Sequence, residues 1–140
     1  MPAERLLPTT EAEDLIKLAR EIARDALLPV AAEYEEEHRF PREQFRLLGR
    51  SGLLGLPYPE QWGGGGLSYE VYLQVLEEVA AAWMTMGVGL SVHVMSCFAL
   101  AEYGTDDQRL HRTGHGIGMG THEAPWIARG ADDPRRDAPQ

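Results

Sequence analysis

Apolar residues recur at helical spacing at Leu15, Leu18, Ala19, Ile22, Ala23 and Ala26, while Asp14, Lys17, Arg20 and Arg24 fall away from the centre of that stripe. This period predicts a first amphipathic helix. Thr10 and Glu13 have the Thr-x-x-Glu form of a capping box, so the helix is expected to start there. Pro29 disturbs the backbone ladder without ending the element. The acidic run from Glu33 to Glu37 continues it as a solvated face, closed by His38.

Pro41 suits a first helical turn, and Arg42 to Arg50 reads as a short helix carrying Phe45, Leu47 and Leu48, stopped near Gly52. From Leu53 to Gly66 the prolines Pro57 and Pro59 and the run Gly63 to Gly66 predict turns and no regular element. Ser68 then caps a helix in which Tyr72, Val75, Leu76, Val79 and Ala80 occupy one face, with Glu70, Gln74, Glu77 and Glu78 off it. Between Thr85 and Tyr103 nearly every residue is apolar or small, which predicts a central helix buried on all sides. Gly104 is placed as its C-cap.

Thr105 and Gln108 form a second capping box, yet the helix it announces meets Gly114, Gly116, Gly118 and Gly120. Each glycine costs about 1 kcal/mol in a helix interior relative to Ala. A start signal with no element behind it marks a join near Leu110. The chain is accordingly divided into a helical domain over residues 1–109 and a Gly/His-rich, irregular or disordered tail over residues 110–140, with Asp132 to Gln140 expected to be disordered.

The totals narrow the function classes. With 140 residues, 44% hydrophobic and 25% charged, the chain fits one soluble domain with a modest core. A net charge of -9 argues against nucleic acid, which demands clustered Lys and Arg. Cys97 is the single cysteine, so no internal disulfide is possible and a reducing compartment, the cytoplasm, is expected. The first residues lack the apolar run of a signal peptide, and no stretch is expected to span a bilayer.

Several ordered blocks carry a resemblance. Phe40-Pro41, then Gly52-Leu53-Leu54-Gly55-Leu56, then Pro59-Glu60-Gln61-Trp62-Gly63-Gly64-Gly65-Gly66-Leu67-Ser68-Tyr69, then Val75-Leu76-Glu77-Glu78-Val79-Ala80 follow one another. Leu90 to Cys97 and Tyr103 to Arg109 complete the series. Over about residues 8–109 the chain resembles the N-terminal domain of acyl-CoA dehydrogenases. The resemblance implies an all-α, orthogonal multi-helix domain that packs on a β-domain holding FAD. It also implies a reaction in which a glutamate takes the α-proton of an acyl-CoA thioester while the flavin takes the β-hydride. No residue here matches that glutamate or the flavin-contacting segment, so no catalytic or cofactor-binding residue is assigned. Glu60, Glu77, Glu78 and Glu102 read as solvated charges. The buried helix of the family borders the acyl tail, which makes Leu90, Val94 and Cys97 candidate pocket residues, and His93 a hydrogen-bonded core histidine.

The tail carries a second resemblance. His111-Arg112-Thr113-Gly114-His115-Gly116-Ile117-Gly118-Met119-Gly120-Thr121-His122-Glu123 is similar to the metal-site block of Xaa-Pro aminopeptidase-like, pita-bread metallopeptidases. It implies His115 as a metal ligand, His122 as a substrate contact and His111 as a polar support. A dinuclear site needs carboxylates, which two imidazoles do not replace, so a vestigial pair that binds a divalent metal adventitiously is expected. Three function classes stand open: an acyl-CoA dehydrogenase domain that is inactive without a chain carrying the flavin domain, a noncatalytic helical module or disrupted-gene product that self-associates, and a metallopeptidase remnant.

Overall fold

A computed structural model describes residues 7–105, together with two short strands at residues 114–116 and 123–127. Helix α1 spans Thr10–Ile22. Its cap is Thr9, one residue before the expected box: Thr9 is extended (φ -145°, ψ 158°), and its hydroxyl accepts the Ala12 N–H at 3.1 Å. Ala23–Leu27 then form a π-helical turn, closed by the Leu28 N–H reaching the Ala23 carbonyl. Helix α2, Leu28–Glu36, begins behind it with Pro29 in its first turn, where the missing amide has no ladder bond to break. The chain thus absorbs Pro29 by widening one turn instead of kinking.

Helix α3 spans Arg42–Arg50, and Gly52 turns the chain with a positive φ of 75°. The loop that follows holds two 3-10 turns, Leu53–Gly55 and Glu60–Trp62, where only irregular turns were expected. Ser68 caps helix α4, Tyr69–Ala82, by accepting the Val71 N–H at 3.4 Å. Trp83, extended at φ -154° and ψ 105°, is the elbow between α4 and helix α5, Met84–Tyr103. Helices α1 and α5 both pack on α4, and the π-helical turn also lies against it. Ile16, Leu27, Leu48, Val75, Val79 and Leu90 form the centre of one apolar core. Full burial of a side chain of this kind contributes about 1.5–3 kcal/mol, so the core is what holds the five helices together.

Two expectations are corrected. Helix α5 is not buried all round: Met86, Gly87, Leu90, Val94 and Cys97 face the core, while Met84, Val88, Met95 and Phe98 face outward. By length and composition α5 is also apolar enough to cross a membrane, contrary to the expectation that no stretch is. Its packing on α4 covers part of that apolar surface, with 28% of the apolar stretch buried. Among the described tail residues, strand β1 (Gly114–Gly116) pairs antiparallel with strand β2 (Glu123–Ile127). The register slips between Gly114 and Gly116, and glycine permits such an irregularity in a strand.

A clasp joins α2 to the elbow. The Glu35 carboxylate accepts hydrogen bonds from Thr85 Oγ1 and from Trp83 Nε1, the latter at 2.6 Å, and the Tyr34 ring meets Trp83 edge-on at 5.6 Å. The Thr85 and Trp83 hydrogen bonds hold the Glu35 carboxyl below its usual range. A depressed folded-state value means that the clasp contributes in full above the ordinary carboxylate range and is lost as pH falls through the folded value. We expect the urea midpoint of Glu35→Gln to fall less between pH 7 and pH 3.5 than that of the native chain. Equal slopes would show that the clasp carries no charge-dependent stability.

Candidate functional site

The residues expected at a pocket lie on one face of α5. Leu90 and Val94 are buried in the shared core, and Cys97 is buried one turn further on. The structure therefore brings the three together, as part of the wall between α5 and the rest of the domain. The i, i+4 spacing places His93 beside Cys97, with Nε2 and Sγ 3.7 Å apart.

Burial sets the protonation of this pair. It pushes the Cys97 thiol up to about 11 and holds half-buried His93 down at about 4. Near neutral pH both groups are uncharged, the imidazole receiving or giving one weak bond. A nucleophilic pair needs a thiolate, which this environment disfavours. At pH 8 only about a thousandth of Cys97 is thiolate, given its value of about 11. Folded protein should therefore react with a disulfide reagent at least tenfold more slowly than guanidine-unfolded protein, and equal rates would contradict the burial.

Tyr58 is the residue that sequence reasoning missed. Its hydroxyl donates to the Val94 carbonyl, reaching from the glycine-rich loop to the middle of α5. Burial raises its hydroxyl well above the ordinary tyrosine range, with Tyr69 as the next contributor. The side chain thus docks the loop beside Leu90, Val94 and Cys97 as a neutral donor. Its setting between Pro57 and Pro59, which restrict the local backbone, was the available signal.

The glycine loop is not a phosphate cradle. The Gly63, Gly64, Gly65 and Gly66 amides donate to the carbonyls of Glu60, Pro59, Gly55 and Tyr58, at 2.9, 3.1, 3.0 and 2.8 Å. Nest-type anion sites rely on free amides, and these are turned into the loop's own hydrogen bonds. Glu60, Glu77 and Glu102 are exposed, and Glu78 pairs with Arg20 at 2.9 Å.

The remaining site expectations fall on the tail. His115 belongs to β1, while His111 and His122 lie outside the described residues. Among the described residues no group of three or more His, Cys, Asp or Glu side chains is placed to hold a metal ion.

The folded helical unit coincides with a known domain. The family model described as "Acyl-CoA dehydrogenase, N-terminal domain" matches residues 9–112. The chain belongs to the acyl-CoA dehydrogenase family through that domain. It is 36% identical over 102 residues to a short-chain specific acyl-CoA dehydrogenase of Clostridium acetobutylicum, covering 72% of this chain and 27% of that protein. It is 37% identical over 101 residues to an acryloyl-CoA reductase (NADH) of Anaerotignum propionicum, covering 72% of this chain and 26% of that protein. The chain thus spans about a quarter of the length of these relatives. A solved chain from a study of the electron transferring flavoprotein of Acidaminococcus fermentans superposes with a TM-score of 0.70 at 26% identity, covering 76% of this chain and 28% of that one. Butyryl-CoA dehydrogenase of Megasphaera elsdenii shares the fold, with a TM-score of 0.68 at 24% identity over 76% of this chain and 29% of that one. The match stops at residue 112, and no part of it supports the peptidase resemblance of the tail.

Proposed function

We propose that this chain acts as the helical N-terminal module of an FAD-dependent acyl-CoA dehydrogenase, supplying one wall of the acyl pocket and no catalytic group. The observation that carries this reading is the coincidence of the family match over residues 9–112 with a helical unit folded around its own core over α1 to α5. Short acyl-CoA thioesters are the substrate class, in keeping with the short-chain relatives. Electron transfer flavoprotein is the proposed redox partner of the assembled enzyme, and a chain carrying the flavin domain is the partner of this one.

The described residues do not fit the flavin. The loop amides that could meet a pyrophosphate are engaged within the loop, and the first turn of α4 carries Glu70, whose charge repels phosphate. What this chain's residues do is hold that wall in place: Leu90 and Val94 are packed in the domain's own core, and Tyr58 holds the Val94 backbone from the loop side. For the tail no catalysis is proposed, because His115 and His122 supply two imidazoles where a dinuclear centre needs bridging carboxylates.

The test is an exchange of domains. Residues 9–105 replace the matching quarter of the Clostridium acetobutylicum enzyme, and flavin absorbance and butyryl-CoA oxidation are measured. The expected chimera is yellow and oxidises butyryl-CoA; a soluble, helical but colourless chimera overturns the reading.

A further inference from the structure

Helix α2 is held differently from its neighbours. Among the described helices, α1, α3, α4 and α5 each bury at least one residue, and α2 buries none. Val30, Ala31 and Tyr34 rest on the core only in part. At the near end of α2, Leu27 is fully buried and pins the π-helical turn, while the next residue, Leu28, is 56% exposed. A π-helical turn closes wider rings than the α-helical ladder, and Pro29 offers no amide, so the backbone is least braced at Leu28 and Pro29. Bends in helices concentrate at such points. At the far end the chain turns sharply at His38, whose φ is 51°.

Between these two points the Glu35 clasp ties α2 to the body, through Trp83 Nε1, Thr85 Oγ1 and the edge-on contact of Tyr34 with Trp83. Trp83 is itself only 5% exposed, so α2 helps to cover the elbow between α4 and α5. Arg39 pairs with Glu33 and Glu37 and lies over the Tyr34 ring at 3.8 Å, contacts that stiffen the end of α2 without tying it to another helix. We propose that α2 is a latched arm, hinged at Leu28–Pro29 and at His38 and held closed over the Trp83 elbow by the Glu35 clasp. Opening breaks two hydrogen bonds and one ring contact and uncovers Trp83. It leaves Ile16, Leu27, Val75, Val79 and Leu90 in the core, so the arm opens without unfolding the domain.

The test is hydrogen exchange on the 140-residue chain at neutral pH, because a local opening frees the α2 amides while the other helices stay protected. In the native chain the amides of residues 32–36 should be protected about tenfold less, or weaker still, than those of residues 16–22 in α1 and 75–79 in α4. Glu35→Ala should quicken exchange in α2 by about a further tenfold and leave the α1 and α4 amides at their native ratio to global unfolding. Glu35→Gln keeps an oxygen that can accept from Trp83 and Thr85, and should restore most of the protection. Thr85→Val removes one donor and keeps the shape of the side chain; it should give a smaller increase confined to α2, and it carries the test if Glu35→Ala does not fold. Glu36 is exposed and outside the clasp, so Glu36→Ala should leave exchange in α2 near its native rate. Amides of α2 that exchange in step with those of α1 and α4 would overturn the arm, as would unchanged α2 exchange in both Glu35→Ala and Thr85→Val.

Discussion

Gly87→Leu is expected to destabilise the helical domain by about 3 kcal/mol or more, the upper end of what overpacking costs. The reason is the approach of α5 to α4 just past the Trp83 elbow. A Cβ added at Gly87 would stand 2.5 Å from Ala80 Cβ and 2.7 Å from Ala80 Cα. The obstacle is a backbone and its first side-chain atom, neither of which can swing aside. To admit the leucine, α5 must lift away from α4, and Leu90 and Val94 leave the core with it. Stabilities of small domains are about 5–15 kcal/mol, so the loss is a large fraction of the total. With urea m-values of about 1–3 kcal/mol/M, the midpoint should fall by about 1 M or more. Gly49→Ala is the control. A Cβ there meets only the end of the Leu54 side chain at 3.3 Å, and alanine is the better helix former by about 1 kcal/mol. Gly49→Ala should leave the midpoint unchanged or raise it. A Gly87→Leu midpoint within 0.3 M of the native one, roughly the precision of such melts, would show that the hairpin is not held at this contact.

These two glycines show how far the sequence can be read. Helices with one polar face were legible in type and nearly in extent: Ser68 caps α4, and Tyr72, Val75 and Val79 are buried as their spacing predicts. The start of α1 was legible to within one residue, because Thr9 and Thr10 are both competent caps and the chain's entry angle decides between them. Pro29 announced a disturbance, but the π-helical turn that absorbs it depends on how Leu27 is buried, which is a tertiary matter. In α5 the periodic signal fails because every face is apolar. What orients the helix is where its glycines let neighbours approach, Ala80 at Gly87 and the Phe45 ring at Gly89. That Leu90, Val94 and Cys97 share a buried face was legible for the same limited reason, by spacing alone. Tyr58 was not, since its bond to the Val94 carbonyl joins positions 36 residues apart. The expectation of a helix buried on all sides failed because, among the described residues, α5 is covered chiefly by α4 and leaves Met84, Val88, Met95 and Phe98 exposed.

Gly64→Ala should be nearly as damaging, through the loop that Tyr58 anchors. A Cβ at Gly64 would lie 2.0 Å from the Tyr58 carbonyl oxygen and 2.4 Å from its carbon. That carbonyl already accepts the Gly66 N–H at 2.8 Å, so the clash falls on the hydrogen-bonded heart of the loop. Moving Tyr58 aside would break this bond and draw its hydroxyl from Val94, leaving a carbonyl in mid-α5 without its second partner. A buried polar group that loses its partner costs about 1–3 kcal/mol, and loop strain adds to it. Gly63→Ala separates the two ways in which a glycine can be needed. Nothing lies within 4 Å of a Cβ at Gly63, but its φ is 86°, so its replacement costs roughly 1–2 kcal/mol of backbone strain alone. Gly64 has no such dihedral and is required for space. Urea melts should therefore rank Gly64→Ala below Gly63→Ala. Hydrogen exchange at the Gly65, Gly66 and Leu67 amides should quicken at least tenfold in Gly64→Ala, while the α1 amides keep their native ratio to global unfolding. Unchanged exchange at Gly66 in the Gly64→Ala protein would mean that the loop does not depend on this packing, and that Tyr58 reaches α5 without it.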